Sequence, residues 1–338
     1  MSPADALDRV VYLLDRALAE SRRVAAYGKA RDIVRERGDE EIAQRHADGT
    51  LLELPGIGPS TSKVIALALD GGIEEHLAQL DDETAVEAGE GAELRASLRG
   101  DCHTHSTWSD GGAPIEAMAR AAMDLGHEYM VVTDHSPRLT IAHGLNRERL
   151  LQQLDEMERL KAELAPFRLL TGIEVDILED GSLDQDDDLL EQLDVVVASV
   201  HSKLRMPAEE MTRRMVLAVA SPHVDILGHC TGRKLVGSGR PQSQFDPDIV
   251  FAACARFGTA VEINCRPERQ DPPEELLSLA LDWDCRISID TDAHAPGQLE
   301  WQAYGCDKAT RLGIEPERIV NTLPADDLLA WAGSHSTS

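Results

Sequence analysis

Val195-Val196-Val197-Ala198-Ser199-Val200-His201 is a β-branched and small-residue run that ends in a histidine. Apolar on both faces, it fits a strand buried inside a parallel sheet. The same pattern recurs on either side. Upstream lie Val131-Val132-Thr133-Asp134-His135 and Leu170-Thr171-Gly172-Ile173-Glu174. Downstream lie Asp225-Ile226-Leu227-Gly228-His229 and Arg286-Ile287-Ser288-Ile289-Asp290, the latter followed by Asp292 and His294. Strands are expected near 98–103, 129–134, 168–176, 195–200, 224–229, 259–264 and 286–291. Amphipathic helical stretches separate them at 114–126, 146–164, 207–220, 246–257 and 273–283. This alternation predicts an α/β fold, a closed parallel barrel of the TIM type with seven strands.

In such a barrel the carboxyl ends of all strands meet on one face, where active sites are built. His103 and His105 end the first strand. His135, Glu174, His201 and His229 end or follow the next four, and Asp292 and His294 follow the last. Side chains alternate faces along a strand, so His103 and His105 point the same way. Six of the chain's twelve histidines are thus expected to converge with two carboxylates on one divalent metal site. Mixed imidazole and carboxylate donors suit Zn, Mn or Fe. His46, His76, His127, His223 and His335 fall on helices, turns or the tail and are expected outside it. The six cysteines lie far apart without a C-x-x-C pair and read as reduced thiols of a cytoplasmic protein.

The chain has 338 residues, 33 basic against 61 acidic, and a formal net charge of −28. That excludes a generally basic nucleic-acid coating protein. Aromatics make up only 4%, which argues against base-stacking platforms. Asp5 and Asp8 stand where a signal peptide would be basic, and Val10–Leu14 is too short an apolar run to span a bilayer, so no membrane partner is expected.

Residues 1–80 read as a small all-α domain. Leu7, Val10, Val11, Leu14 and Leu18 share one face of a helix over 4–20. A second helix, 21–37, carries six basic residues against Asp32 and Glu36. A third covers 39–48. Leu54-Pro55-Gly56-Ile57-Gly58-Pro59-Ser60 then opens a helix marked by Val64, Ile65, Leu67, Ala68 and Leu69, and a short helix follows near 73–80. This is a helix–hairpin–helix signature, whose glycines let backbone N–H groups approach a phosphate. Residues 81–97 are strongly acidic and read as a linker or connecting helix, leaving 98–335 for the barrel.

The barrel segment closely resembles the PHP (polymerase and histidinol phosphatase) family of metal phosphoesterases. The resemblance rests on His103-Thr104-His105-Ser106 with Ser109-Asp110-Gly111, Thr133-Asp134-His135-Ser136, Gly172-Ile173-Glu174, Ser199-Val200-His201-Ser202, Leu227-Gly228-His229 and Thr291-Asp292-Ala293-His294. Ala142-His143-Gly144-Leu145, Glu262-Ile263-Asn264 with Pro267 and Arg269, and Tyr304-Gly305 resemble the branch attached to bacterial family X DNA polymerases. Residues 4–80, including Arg23-Val24-Ala25-Ala26-Tyr27, resemble the N-terminal helical domain of those polymerases. The resemblance implies a distorted seven-stranded barrel with three divalent ions. One would be held by His103, His105, Glu174 and Asp292, a second by Glu174, His201 and His229, and a third by Asp110, His135 and His294.

On this basis Arg138, Lys203, Arg205, Arg233 and Arg269 are candidate phosphate clamps, Asn264 a substrate contact, and Asp134 an acid–base or ligand-orienting group. Gly56, Gly58, Ser60, Lys63, Arg22, Arg23, Lys29 and Arg31 are the expected DNA contacts. Val64 stands where some family members carry a Schiff-base lysine, and Lys63 is one residue away, so lyase activity is not expected. Residues 81–97 cannot house a polymerase palm and fingers. The implied activity is a phosphoesterase acting on DNA ends in repair: a 3′→5′ exonuclease, with 3′-phosphatase or abasic-site endonuclease activity. A separate polymerase would supply synthesis. The alternative is a small-molecule phosphomonoesterase of the histidinol-phosphate phosphatase type.

Overall fold

The computed structural model describes residues 1–87, 89–237 and 239–335. The chain divides into two compact units, Met1–Val86 with Pro296–Gln298, and Glu87–Ala295 with Leu299–Ser338.

The first unit is helical: α1 Pro3–Arg16, α2 Ser21–Arg37, α3 Asp39–Ala47, α4 Pro59–Asp70 and α5 Ile73–Thr84. Its core gathers Leu7, Val10, Leu14, Ile42, Val64, Ile65 and Ile73. The basic helix α2 buries only the narrow stripe Tyr27, Ala30 and Val34, because its other positions are charged or small. Helix α1 ends four residues earlier than the periodicity suggests. Leu18 takes a positive φ of 51° and lies exposed, breaking the helix before its last apolar position. Buried Arg16 ties α1 to α5 by donating to the Asp81 carbonyl at 2.7 Å, to its carboxylate at 2.8 Å and to Thr84 Oγ1 at 2.7 Å.

The second unit is the barrel. Its strands are β1 Gly100–Thr104, β2 Tyr129–Val132, β3 Arg168–Asp176, β4 Val195–Ser199, β5 Ile226–Leu227, β6 Ala260–Asn264 and β7 Ile287–Asp290. They follow one another in chain order, each parallel to the next. The seam between β1 and β7 is nearly closed: Thr104 bridges Ala293, the His105 amide donates to the Ala293 carbonyl at 2.8 Å, and the Cys102 amide donates to Asp290 Oδ1 at 2.8 Å. Around the sheet lie α6 Ala92–Ser97, α7 Ile115–Asp124, α8 Arg147–Leu164, α9 Asp187–Leu190, α10 Ala208–Val219, α11 Pro247–Phe257, α12 Glu274–Asp282, α13 Gln302–Arg311 and α14 Ala325–Gly333. Cys102, Tyr129, Val131, Val195, Val197 and Ile226 form one buried cluster, and Met118, Met130, Val132, Met157 and Leu169 belong to another.

The acidic stretch 81–97, expected as a linker or connecting helix, is helical over much of its length. Residues 81–84 complete α5, where Asp81 also pairs with Arg9 at 3.1 Å, and 92–97 form α6 within the barrel unit. Their acidity reflects exposed helical faces and the Arg9 and Arg16 partners. Among the described residues no helix is long and apolar enough to cross a membrane.

Burial pushes the Asp15 carboxyl up to about 6. The folded unit therefore holds this proton more tightly than the unfolded chain. This group favours folding below about pH 4, and that contribution is lost as pH rises through about 6. Asp15→Asn should raise stability near pH 7 by about 1–3 kcal/mol and change little near pH 4. Hydrogen exchange of the α1 amides at the two pH values checks this.

Candidate metal centre

Glu174, on β3, is completely buried and lies at the middle of the imidazoles. Its Oε2 is 2.7 Å from His135 Nδ1, 3.4 Å from His103 Nε2 and 3.6 Å from His105 Nε2. Its Oε1 is 2.9 Å from His229 Nε2 and 3.2 Å from His201 Nε2. Asp292 Oδ1 reaches His105 Nε2 at 3.3 Å, and Asp110 Oδ1 reaches His294 Nε2 at 3.3 Å and His135 Nε2 at 3.5 Å. Ring centroids of His105 and His294 are 4.1 Å apart, and those of His105 and His135 are 4.4 Å apart. His229 and Asp292 adopt positive φ values of 21° and 52°, a costly conformation for residues other than glycine.

Three donor groups result, each with its ligand atoms within 4.8 Å of one another: His105, Asp110, His135 and His294; His103, His105 and Glu174; and His135, Glu174 and His201. His105 and His135 each stand between two groups, which strand positions alone do not reveal. His229 joins through Glu174. Among the described residues no cysteine enters these groups, and all six thiols are buried.

The donors fit metal ions on a direct test. His103 Nε2, both nitrogens of His105 and of His201, His229 Nδ1 and Glu174 Oε2 are buried and complete no hydrogen bond. Each such atom costs about 1–3 kcal/mol if left unsatisfied. Bound cations would satisfy Glu174 Oε2 and one nitrogen of each imidazole, and imidazole with carboxylate is the donor chemistry for it.

The electrostatics divide the imidazoles. Burial pushes Glu174 up, yet His201, His103 and His135 hold it well below the usual carboxylate range. Burial lowers His201, but Glu174 and Asp176 carry it up to about 9. Burial and the Arg269 charge bring His229 down to about 4, and burial with His294 and His135 holds His105 well below the ordinary imidazole value.

The other expected residues fall in different places. Asp134 turns away from the cluster. Its oxygens accept from the Ser106 amide at 2.8 Å and hydroxyl at 2.6 Å, from the Ser109 amide at 3.1 Å and hydroxyl at 2.5 Å, and from Gln153 at 2.6 Å. It pins the loop that carries Asp110, and the expected acid–base role has no free oxygen to perform it. Asn264 is likewise engaged, donating to Glu262 and Asp292 at 3.2 Å each. Arg233 donates to the backbone carbonyls of Arg269 and Gln270, so it braces a loop and is not a free clamp. Arg269 keeps the clamp geometry. Its Nε lies 3.4 Å from Asp292 Oδ2, and Nε and Nη1 are buried without a hydrogen bond. Arg138 and Arg205 are exposed, and exposed Lys203 lies 4.0 Å from Glu179.

In the helical unit, Arg22, Arg23, Lys29 and Lys63 are exposed. Arg31 instead pairs with Asp8 at 2.9 Å and Asp32 at 2.8 Å, which spends the charge expected to face DNA. Arg23 and Tyr27 share a cleft of about 560 Å³ with Gly56, Gly58, Ser60 and Thr61. Gly56 has φ +104°, where a Cβ would meet Ile33 Cδ1 at 2.7 Å.

Two participants were missed. Glu262 Oε1 lies 2.6 Å from His103 Nδ1, while Oε2 accepts from the His229 amide. Arg266 Nη1 donates to the Asp292 carbonyl at 2.7 Å and lies 2.8 Å from His294 Nδ1. The signal for Glu262 was available, as a carboxylate inside the apolar run Ala260-Val261-Glu262-Ile263. Arg266 lies in an irregular loop with no periodicity to orient it.

A nearly closed seven-stranded barrel brings its strand ends together on a buried imidazole–carboxylate cluster, the donor set of a metal centre. Residues 101–234 match the model of the PHP domain family. It is 40% identical over 234 residues to "DNA polymerase/3'-5' exonuclease PolX" of Bacillus subtilis (strain 168), a match covering 69% of this chain and 41% of that protein. The chain thus spans about two fifths of that relative. A probable phosphatase of Thermoanaerobacter sp. (strain X514) is 28% identical over 235 residues, 66% of this chain and 89% of the relative. The crystal structure of histidinol phosphate phosphatase from Lactococcus lactis, complexed with Zn, L-histidinol and phosphate, superposes with a TM-score of 0.46 at 20% identity, over 64% of this chain and 92% of that one.

Glu262 holds the ring of His103 from behind, as carboxylates commonly do for metal-ligating histidines. Glu262→Gln should weaken metal affinity about 10–100-fold without unfolding the barrel. Metal titration of the apoprotein, with circular dichroism alongside, reads both.

Proposed function

We propose that the chain hydrolyses phosphate esters at DNA ends as a 3′→5′ exonuclease, with 3′-phosphatase or abasic-site cleavage as allied activities, in cytoplasmic DNA repair. It has no polymerase activity in this reading, and a separate polymerase is the partner that fills the product gap. The observation that carries the proposal is the free cationic face of α2. In a chain with a net charge of −28, Arg22, Arg23 and Lys29 are exposed without ion partners among the described residues, and Arg23 shares a cleft with the Gly56–Ser60 hairpin. A phosphate backbone needs such a local inversion of charge. Similarity to a DNA polymerase/3'-5' exonuclease supports the same reading.

Three divalent ions, Zn, Mn or Fe, would be held by the sets His103–His105–Glu174–Asp292, Glu174–His201–His229 and Asp110–His135–His294. When bound, such ions lower the pKa of water and neutralise charge on phosphate oxygens. The chain's own residues do the rest. Arg269 offers Nη1, buried without a hydrogen bond, to a phosphate, and Arg266 and Glu262 fix the ligands. Arg233 and Lys308 hold the loop of Arg269 by its carbonyls, with Lys308 donating to Gln270 at 2.7 Å and Pro272 at 2.8 Å.

The second reading is a small-molecule phosphomonoesterase of the histidinol-phosphate type. It is favoured by the acidic surface and by similarity to a probable phosphatase along 89% of that relative's length.

With Mn²⁺, a 5′-labelled oligonucleotide should shorten from its 3′ end, and His103→Ala should abolish the ladder. Changing Arg22, Arg23 and Lys29 together to Gln should weaken DNA binding and reduce the log–log salt slope by about two to three. Turnover of one phosphomonoester with no DNA cleavage would favour the second reading.

A further inference from the structure

The cluster lacks an obvious proton donor for a leaving group. Asp134 is saturated by Ser106, Ser109 and Gln153, and Glu262 is engaged by His103, His229 and Asn264. One imidazole on the same barrel face is uncommitted. His143 follows a 3₁₀ turn over Thr140–Ala142, between β2 and α8. It is exposed, and its side chain has no hydrogen bond or ion pair among the described residues.

Its backbone is fixed with unusual care for an exposed loop residue. His143 holds a positive φ of 56°. The next residue, Gly144, packs so tightly that a Cβ would lie 1.8 Å from the Ser136 carbonyl oxygen. The Leu145 amide donates to the carbonyl of His135, itself a candidate ligand, at 2.7 Å. Arg149 donates to the carbonyls of His143 and Gly144 and, with its other terminal nitrogen, to that of Trp108, two residues before Asp110. One guanidinium thus staples the His143 loop to the Asp110 loop. Two residues of chain span at most about 7 Å, so the Leu145 bond keeps the His143 backbone within about 10 Å of the His135 carbonyl, and the Arg149 staple holds it on the side of the Asp110 loop.

We propose that His143 is the general acid that protonates the leaving oxygen. Water attacks phosphorus and its oxygen forms the new P–O bond. The bond from phosphorus to the leaving alkoxide breaks, and the His143 imidazolium gives that oxygen its proton. The proton lost by the attacking water returns through solvent to the neutral imidazole, so no proton is gained or lost over a turnover. The inference rests on the phosphoesterase reading, but not on whether the ester is DNA or a small molecule.

Leaving-group dependence tests it. Full-length wild type, His143→Gln and His143→Ala are assayed with Mn²⁺ on thymidylyl-thymidine, whose alkoxide leaving group needs a proton, and on thymidine 5′-p-nitrophenyl phosphate, whose phenolate does not. The variants should lose about 10²–10⁴-fold in kcat on the dinucleotide and far less on the nitrophenyl ester. Equal losses on both would make His143 a positioning residue, and no loss on either would remove it from the reaction; each overturns the proposal. If wild type ignores the dinucleotide, the DNA reading fails separately. The same comparison with glycerol phosphate and p-nitrophenyl phosphate then decides on His143 by the same criterion.

Discussion

A single buried carboxylate organises this molecule. Glu174 brings a negative charge into a barrel interior, and five histidines approach its two oxygens within 3.6 Å. An isolated charge at that depth costs several kcal/mol, so Glu174 requires compensating positive charge around it. The imidazoles supply part, and their unpaired nitrogens leave room for cations to supply more. Parallel strands in chain order bring these side chains together, since β1 to β5 each deliver a residue at the same end of the barrel.

Around that centre the chain spends polar groups on loops. Asp134 holds the Ser106–Ser109 loop, Arg149 joins it to the His143 loop, and Arg233 with Lys308 supports the segment carrying Arg266 and Arg269. Positive φ at His229 and Asp292 shows the backbone bent to suit the ligands. Rigid strands alone would place the donors; these side chains hold the surrounding loops in register with them.

The barrel was legible because buried parallel strands leave unbroken β-branched runs, and the ligands because they stand at the ends of those runs. The outer helices α6, α9, α13 and α14 were not separately legible, being short or lying beyond the last strand. Long-range pairing was the harder part. Nothing local shows that Asp8 lies beside Arg31, or that Asp134 reaches Gln153 and not the cluster. Strand alternation placed His103 correctly but not its partner Glu262, because the pairing crosses the barrel from β1 to β6.

Metal content of Glu174→Gln, measured by mass spectrometry on folded protein together with hydrolysis of a nitrophenyl phosphodiester, tests the account most directly. The account predicts a folded barrel that has lost bound metal and turnover together. A folded Glu174→Gln protein with wild-type metal content and wild-type hydrolysis would contradict it.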